Sequence, residues 1–120
     1  MADAIACCGH HHMTFNLKNY CRLFINDKAV RNLLYHRMRG KGKLFKLFFP
    51  GYDHLQIVTP SASIGKGLVF QHGFSTIVGA KKIGCNCKIY QQVTIGYNHK
   101  LENPILGDNV EVCCGAKIIG

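Results

Sequence analysis

The stretch Ile83–Gly96, IGCNCKIYQQVTIG, carries isoleucine at every sixth position. Ile83, Ile89 and Ile95 mark three units, and glycine directly follows the first and the third of them. A helix would require apolar residues at spacings of three and four, and antiparallel hairpins would show alternating strands of irregular spacing. Units of six residues instead indicate a solenoid, in which each unit is a short strand followed by a sharp turn.

The same spacing extends in both directions from this stretch. Ten apolar positions share it, with a slip of one residue near Thr76 and a longer break after Ile95: Val58, Ile64, Phe70, Ile77, Ile83, Ile89, Ile95, Leu106, Val112 and Ile118. We predict that these side chains point into a three-sided prism and stack coil upon coil. The corners require positive φ, which suits Gly84, Asn86, Gly107, Asp108 and Asn109. The alternative is an ordinary β-sandwich whose spacing is accidental.

Two interruptions of the repeat carry further expectations. Leu106 follows Ile95 by eleven positions, where six or twelve would keep the repeat in register. We therefore predict that the segment Tyr97–Pro104 leaves the prism as a loop that can hold ligand-binding residues. The sequence stops at Gly120, at the end of a unit. Because an open last coil exposes strand edges, we expect either a truncated solenoid or one that a partner chain caps.

Length and composition restrict the class of protein. The chain has 120 residues, a formal net charge of +9 and 48% apolar residues. This length suits one domain, and the apolar content argues against a disordered chain. No run approaches the ~18 apolar residues of a membrane-spanning helix, so we expect no integral membrane segment. Seven cysteines without a secretory signal favour reduced thiols and a cytoplasmic location.

Most of the positive charge lies in one short segment. Residues 18–46 contain nine lysines and arginines and a single acid, Asp27. Apolar residues recur there at helical spacing, with Asn26 or Asp27 as a cap and Gly40 and Gly42 at the end. We expect the apolar stripe to pack on the main domain and the charges to face water. The alternative is a basic helix that binds an anionic membrane surface or nucleic acid, although no nucleic-acid motif accompanies it.

These patterns divide the chain into three segments. Residues 1–13, MADAIACCGHHHM, lack periodicity, and we interpret them as a disordered arm or a vector-derived remnant. The run His10–His12 in that segment could bind a metal in principle. Residues 14–50 are the basic helical region, and residues 51–120 are the solenoid. The predicted fold class is therefore mainly β, preceded by a short α-helical region.

Four stretches of the solenoid carry a family resemblance. They are IGKGLVFQHG (Ile64–Gly73), IYQQVTIG (Ile89–Gly96), ILGDNV (Ile105–Val110) and GAKIIG (Gly115–Gly120). In order and spacing they resemble the left-handed parallel β-helix of hexapeptide-repeat acyltransferases, and within that group serine acetyltransferase. The resemblance implies an acetyl-CoA-dependent O-acetyltransferase, usually a homotrimer, whose donor lies in a groove between two subunits and whose acceptor is a small molecule with a hydroxyl group.

The resemblance also implies roles for single residues. His72 matches the catalytic histidine, which takes a proton from the acceptor hydroxyl because its pKa lies near working pH. Gln71 stands where the family has an aspartate involved in serine binding, and Ile57 stands where a second aspartate orients the histidine. Asn103 matches a second active-site histidine and, with Gln71, is predicted to contact the acceptor.

Other residues are candidates to replace the missing groups. His99, in the predicted loop, could substitute for the second histidine as a catalytic residue, and Glu102 or Asp53 could orient His72. His54 and His36 are assigned no role.

The acetyl donor is expected to contact small residues and a cation near the end of the chain. The predicted contacts are Gly96, Cys114, Ala116 and Lys117, with Lys100 as a further cation for the phosphates. We predict no metal: the spacing of Cys85 and Cys87 with Cys113 and Cys114 is not a recognised zinc pattern, and these residues are expected to pack in the solenoid.

Three functional alternatives remain from the sequence. The acceptor is serine, feeding cysteine synthesis, or it is a hydroxyl of a sugar or surface polysaccharide, which the loss of the carboxylates favours. The third alternative is an inactive, truncated solenoid that acts as a scaffold.

Overall fold

In residues 1–98 and 102–120, which the computed structural model describes, four helices precede nine short strands. The helices are α1 (Ala2–His10), α2 (Leu17–Asn26), α3 (Lys28–Arg37) and α4 (Lys43–Phe48). The strands are β1 (Leu55–Ile57), β2 (Val69–Phe70), β3 (Thr76–Val78), β4 (Lys82–Ile83), β5 (Lys88–Ile89), β6 (Thr94–Gly96), β7 (Ile105–Leu106), β8 (Glu111–Val112) and β9 (Lys117–Ile119). Within those ranges, no helix is long and apolar enough to cross a bilayer.

The strands form parallel sheets in which successive strands of one sheet come from successive coils. The strand orders are β1-β3-β6-β9, β2-β5-β8 and β4-β7. Their registers align three apolar stacks: Ile57–Val78–Ile95–Ile118, Ile64–Ile83–Leu106 and Phe70–Ile89–Val112. These stacks meet in one core. A helical region followed by parallel strands that pair from coil to coil agrees with the predicted class and with a β-helix.

The six-residue register fails at two predicted positions. Val58 and Ile77, which were expected to point inward, are 66% and 42% exposed, whereas Val78 is fully buried. Side chains alternate between the two faces of a strand, so a shift of one residue exchanges inside and outside. Each shift occurs where an irregular turn adds residues: the 3-10 turn Ser61–Ser63 after β1, and residues 71–75 after β2.

The corners use asparagine for positive φ and glycine for close approach. Asn86 and Asn109 have φ of 55° and 58°, as predicted. Gly84, Gly107 and Asp108 do not have positive φ, so the prediction was wrong for these three residues. A Cβ atom at Gly84 would lie 2.5 Å from the carbonyl carbon of Gly107 on the next coil, which leaves no space for a side chain.

The basic segment is helical, but it divides into three helices, and Gly42 precedes the third of them instead of ending the helical region as predicted. Asn16 begins α2 by accepting a hydrogen bond from the Asn19 N–H, at 2.8 Å. Asp27 caps α3 by accepting one from the Ala29 N–H, at 2.7 Å, which confirms the predicted cap. Gly40 follows α3 with φ of 85°.

The apolar sides of α2 and α3 pack on the strands, as predicted. Ala29 and Leu33 are buried in the main core with Leu55 of β1. Leu23 and Val30 form a second buried cluster, to which β2 and α1 also contribute. The helical region and the strands therefore share their buried surface. Helix α4 differs, because all of its residues are exposed.

Contrary to the expectation that the charges face water, Arg31 is buried and Arg37 is partly buried. The buried Arg31 donates hydrogen bonds to the carbonyl groups of Phe24 and Ile25, at the end of α2, and to that of Pro50. Arg37 donates to carbonyl groups of the first coil. Both guanidinium groups satisfy backbone acceptors that would otherwise lose hydrogen bonds on burial.

The interpretation of the first residues as a disordered arm was wrong. Ala2–His10 form α1, and Cys7 and Cys8 are buried against α2 and α3. The Asp3 carboxylate accepts a hydrogen bond from the Gly67 N–H at 2.8 Å. The sequence hides this helix because nine residues are too few for a clear periodicity, and because its anchor is a contact across 64 residues.

Candidate active site

His72 lies on a sharp turn directly after β2. The Gln71 N–H donates to the Ile89 carbonyl at 2.9 Å and so extends the strand pairing by one residue. His72 then adopts φ of 64°, and Gly73 adopts φ of 59°. A left-handed conformation is uncommon for a residue other than glycine and occurs often at functional sites. The turn leaves the imidazole exposed, while Gly73 is buried against α3.

The imidazole lines a cleft of about 470 Å³ between the helical region and the coil. The other residues that line it come from the N-terminal segment, from α2 and its C-terminal end, and from the start of the coil: His11, Met13, Arg22, Leu23, Asn26, Asp27 and Tyr52. An imidazole, a carboxylate and a guanidinium therefore face one solvent-accessible space.

The two carboxylate oxygens of Asp27 make different contacts. Oδ1 accepts the helix-capping hydrogen bonds from the N–H groups of Ala29 and Val30. Oδ2 lies 3.5 Å from Nε2 of His11. One oxygen is therefore committed to α3, and the other is directed to the cleft. The sequence predicted Asp27 only as a cap, because 45 residues separate it from His72 and no local pattern joins them.

The two predicted acceptor contacts have different environments. Oε1 of Gln71 is buried and has no hydrogen-bond partner in the described part of the chain, so it keeps its capacity to accept one. Asn103 donates from Nδ2 to the Gly79 carbonyl at 2.6 Å, which ties its amide to the backbone at the end of β3. Neither residue lines the cleft of His72.

The predicted donor contacts lie on the last two coils. Gly96 pairs with Ile119 of β9, and Ala116 packs against the core. Lys117 donates from Nζ to the Gln92 carbonyl at 2.8 Å. Cys114 is exposed. None of the four predicted contacts lines the cleft of His72, so a single chain does not bring the two groups together.

Of the proposed substitutes for the missing groups, the two that the structure describes are not brought to His72. Glu102 and Asp53 are exposed, and neither lines the cleft. His99 and Lys100 lie outside the described residues. Ile57, at the position of the orienting aspartate, is partly buried against the core and supplies no polar atom. Asp27 is the carboxylate that the cleft contains.

The cysteines are only partly used in packing. Cys87 is buried, and its thiol donates to the Gly107 carbonyl at 3.1 Å, as expected for a packing residue. Cys85, Cys113 and Cys114 are exposed, so the packing prediction was wrong for them.

Comparison with known proteins relates the chain to acyltransferases. It is 37% identical over 100 residues to serine acetyltransferase of Staphylococcus epidermidis strain RP62A, covering 80% of this chain and 45% of that protein. It is 40% identical over 77 residues to serine acetyltransferase of Staphylococcus aureus strain Mu50, covering 61% of this chain and 34% of that protein. No protein-family profile matches the chain.

The relationship is to serine acetyltransferases, which confirms the resemblance inferred from the repeat. The chain spans less than half the length of these curated relatives.

Proposed function

We propose that the chain is an acetyl-CoA-dependent O-acetyltransferase in which His72 is the general base. The imidazole takes the proton of the acceptor hydroxyl as that oxygen attacks the thioester carbonyl carbon. The carbon–sulfur bond then breaks, and the CoA thiolate leaves with a proton from the imidazolium. The observation that carries this proposal is the exposed imidazole of His72, held on a left-handed turn and facing a cleft that also contains Asp27.

The donor site requires a second subunit in this proposal. The strands form a left-handed β-helix, and three copies associate so that the last two coils of one lie beside the His72 cleft of the next. Gly96, Cys114, Ala116 and Lys117 then line the groove that holds acetyl-CoA. This arrangement explains why those residues and His72 do not meet within one chain.

Serine is the acceptor that the charges of the cleft support best. The loss of the family's carboxylates favoured a sugar because the neutral Gln71 cannot pair with the ammonium group of serine. The cleft supplies a carboxylate from Asp27, however, and a guanidinium from the exposed Arg22. A carboxylate and a guanidinium complement the ammonium and carboxylate groups of an amino acid. The product, O-acetylserine, would feed cysteine synthesis in the cytoplasm.

A sugar hydroxyl is the second candidate acceptor. Its support is the sequence: Gln71 and Ile57 stand at the positions of two family aspartates, so neither position offers a carboxylate to a substrate ammonium group. Steady-state assays with acetyl-CoA against serine and against a panel of sugars distinguish the two candidates by kcat/KM.

The matched test of the general base is His72→Asn against His54→Asn. Asparagine tolerates φ of 64°, so the first variant keeps the turn and removes the base. We expect kcat/KM to fall about 100-fold or more. His54 is also exposed but lines no part of the cleft, and its variant should keep wild-type activity. Equal activity of the two variants would contradict the proposal. Calorimetry that detects no CoA binding at millimolar concentration would support the scaffold alternative instead.

A further inference from the structure

Helix α4 exposes an apolar surface that the described residues of the chain do not cover. Leu44, Leu47 and Phe48 are 70%, 75% and 71% exposed, and Phe45 is more than half exposed. At about 100° per residue, these four side chains occupy an arc of about 160°, and Lys43 and Lys46 occupy the opposite side. Six residues with this division of charge form an amphipathic helix whose apolar face meets solvent.

Basic residues surround this apolar face. Arg39, Lys41, Lys43 and Lys46 are all exposed, and none of them forms an ion pair in the described part of the chain. No acid occurs between residues 28 and 52. Here the α4 patch denotes residues 39–49. It combines four unpaired cations with a row of exposed leucine and phenylalanine side chains.

The apolar surface continues beyond α4. Phe45 and Leu17, which is itself exposed, line an apolar depression of about 320 Å³, together with Phe24, Leu34 and Met38. Isolated apolar side chains on a surface need no explanation, but a contiguous patch marks an interaction site.

We propose that the α4 patch docks on anionic lipid bilayers. The apolar side chains would enter the boundary between headgroups and acyl chains, and the four cations would lie at the level of the anionic headgroups. This inference does not depend on the proposed acetyl transfer. Helices α2 and α3 are used in packing against the strands, so within the basic segment it is α4 that is free to bind a bilayer.

The charges argue against the two other occupants. A second copy that used the same patch in a two-fold contact would bring eight cations together without an acid, because such a contact pairs a surface with itself. A nucleic acid would satisfy the cations but would leave leucine side chains without a partner, since its recognition relies on charge, hydrogen bonds and aromatic stacking. An anionic bilayer satisfies both halves of the patch.

The test is flotation of the purified chain with vesicles. Vesicles of phosphatidylcholine with about 30% phosphatidylglycerol should carry the protein at about 0.1 M salt, where the Debye length is about 10 Å. Pure phosphatidylcholine vesicles should carry far less. The double variant Lys43→Glu, Lys46→Glu should weaken binding at least about tenfold, since each base contributes about fivefold near an anionic surface. The triple variant Leu44→Ser, Leu47→Ser, Phe48→Ser should weaken it comparably.

Matched controls lie on the strands. Lys82→Glu changes an exposed lysine of β4, and Ile105→Ser changes an isoleucine of β7 that is also exposed. Both should bind vesicles like the parent chain, and circular dichroism should show that all variants remain folded. Binding that is absent, or equal in the patch variants and the controls, overturns the proposal. Two other results also overturn the proposal: the triple variant abolishes self-association in sedimentation, or it abolishes binding to duplex DNA, while its vesicle binding is unchanged.

Discussion

The guanidinium of Arg37 holds the carboxylate of Asp3 through two hydrogen bonds, of 2.7 and 3.2 Å, and so joins α3 to α1. The same carboxylate accepts hydrogen bonds from the N–H groups of Gly67 and Leu68, and Arg37 also donates to three carbonyl groups of the first coil. This ion pair connects the N-terminal helix, the third helix and the strands.

Replacing Asp3 by alanine should destabilise the fold. Arg37 would keep its partly buried position but lose its counter-charge, and two backbone N–H groups would lose their acceptor. We expect the free energy of unfolding in urea to fall by about 2–3 kcal/mol. The exposed Asp53 is the matched control, and Asp53→Ala should change it by less than about 0.5 kcal/mol. An unchanged free energy of unfolding for Asp3→Ala would show that the first residues do not stabilise the fold.

The two tasks of Asp27 can be separated by two substitutions. Asparagine is as good a helix cap as aspartate, so Asp27→Asn should leave the free energy of unfolding nearly unchanged, whereas Asp27→Ala should cost about 1 kcal/mol. If Asp27 binds the ammonium group of serine, both variants should raise the KM for serine about tenfold and leave the KM for acetyl-CoA unchanged. If Asp27→Asn keeps the wild-type KM for serine, Asp27 caps α3 but does not bind the acceptor.

Two glycines at equivalent corners should respond differently to alanine. A Cβ atom at Gly84 meets the backbone of Gly107 at 2.5 Å, whereas a Cβ atom at Gly107 meets nothing within 4 Å. Gly84→Ala should lose about 1–3 kcal/mol by overpacking, and Gly107→Ala should stay within about 0.5 kcal/mol. Thermal unfolding of the pair measures the difference. Equal melting temperatures would mean that the coils are not stacked in this register.

Thiol labelling should distinguish two classes of cysteine. Cys21, Cys85, Cys113 and Cys114 are exposed, and Cys7, Cys8 and Cys87 are buried. Burial, helped by the Asp3 carboxylate, raises the pKa of Cys7 to about 12, which keeps it protonated and unreactive. We expect four thiols to react rapidly with Ellman's reagent in the native chain, and all seven in denaturant. Rapid labelling of Cys7, identified by mass spectrometry, would show that α1 does not pack as described.

The fold should become less stable in mild acid because of His36. Its Nε2 lies 2.8 Å from the Thr59 carbonyl oxygen, and burial lowers its pKa below the ordinary 6.5 despite that hydrogen bond. The unfolded chain therefore binds more protons than the folded chain in this range, so stability falls as the pH drops through 6.5 towards the lowered pKa. Burial lowers the pKa of His10 as well, in the same direction.

Urea unfolding between pH 7.5 and 5 measures this effect, and His36→Gln should make the dependence shallower. An NMR titration of the His36 imidazole with a midpoint at or above 6.5 would contradict the expectation. The His10 contribution remains in that variant, so some slope should persist.

Local patterns in the sequence were sufficient for most of the architecture. The spacing of Ile83, Ile89 and Ile95 predicted coils of short strands, and these three side chains are fully buried. A cap at Asn26 or Asp27 was predicted because capping involves residues two or three positions away, and the structure shows that Asp27 is the cap. The exceptions are Val58 and Ile77, where an irregular turn shifts a strand by one residue and the pattern alone does not reveal it.

The candidate site depended much more on contacts between distant parts of the chain. The sequence singled out His72 through its family resemblance, but Asp27, Arg22 and His11 join it in one cleft only because α2 and α3 pack on the coil. Helix α1 likewise has no signal of its own and is held by the Asp3–Arg37 pair. A strand repeat is a property of neighbouring residues and can be recognised locally, whereas a cleft is the space left between elements and exists once their apolar faces are buried together.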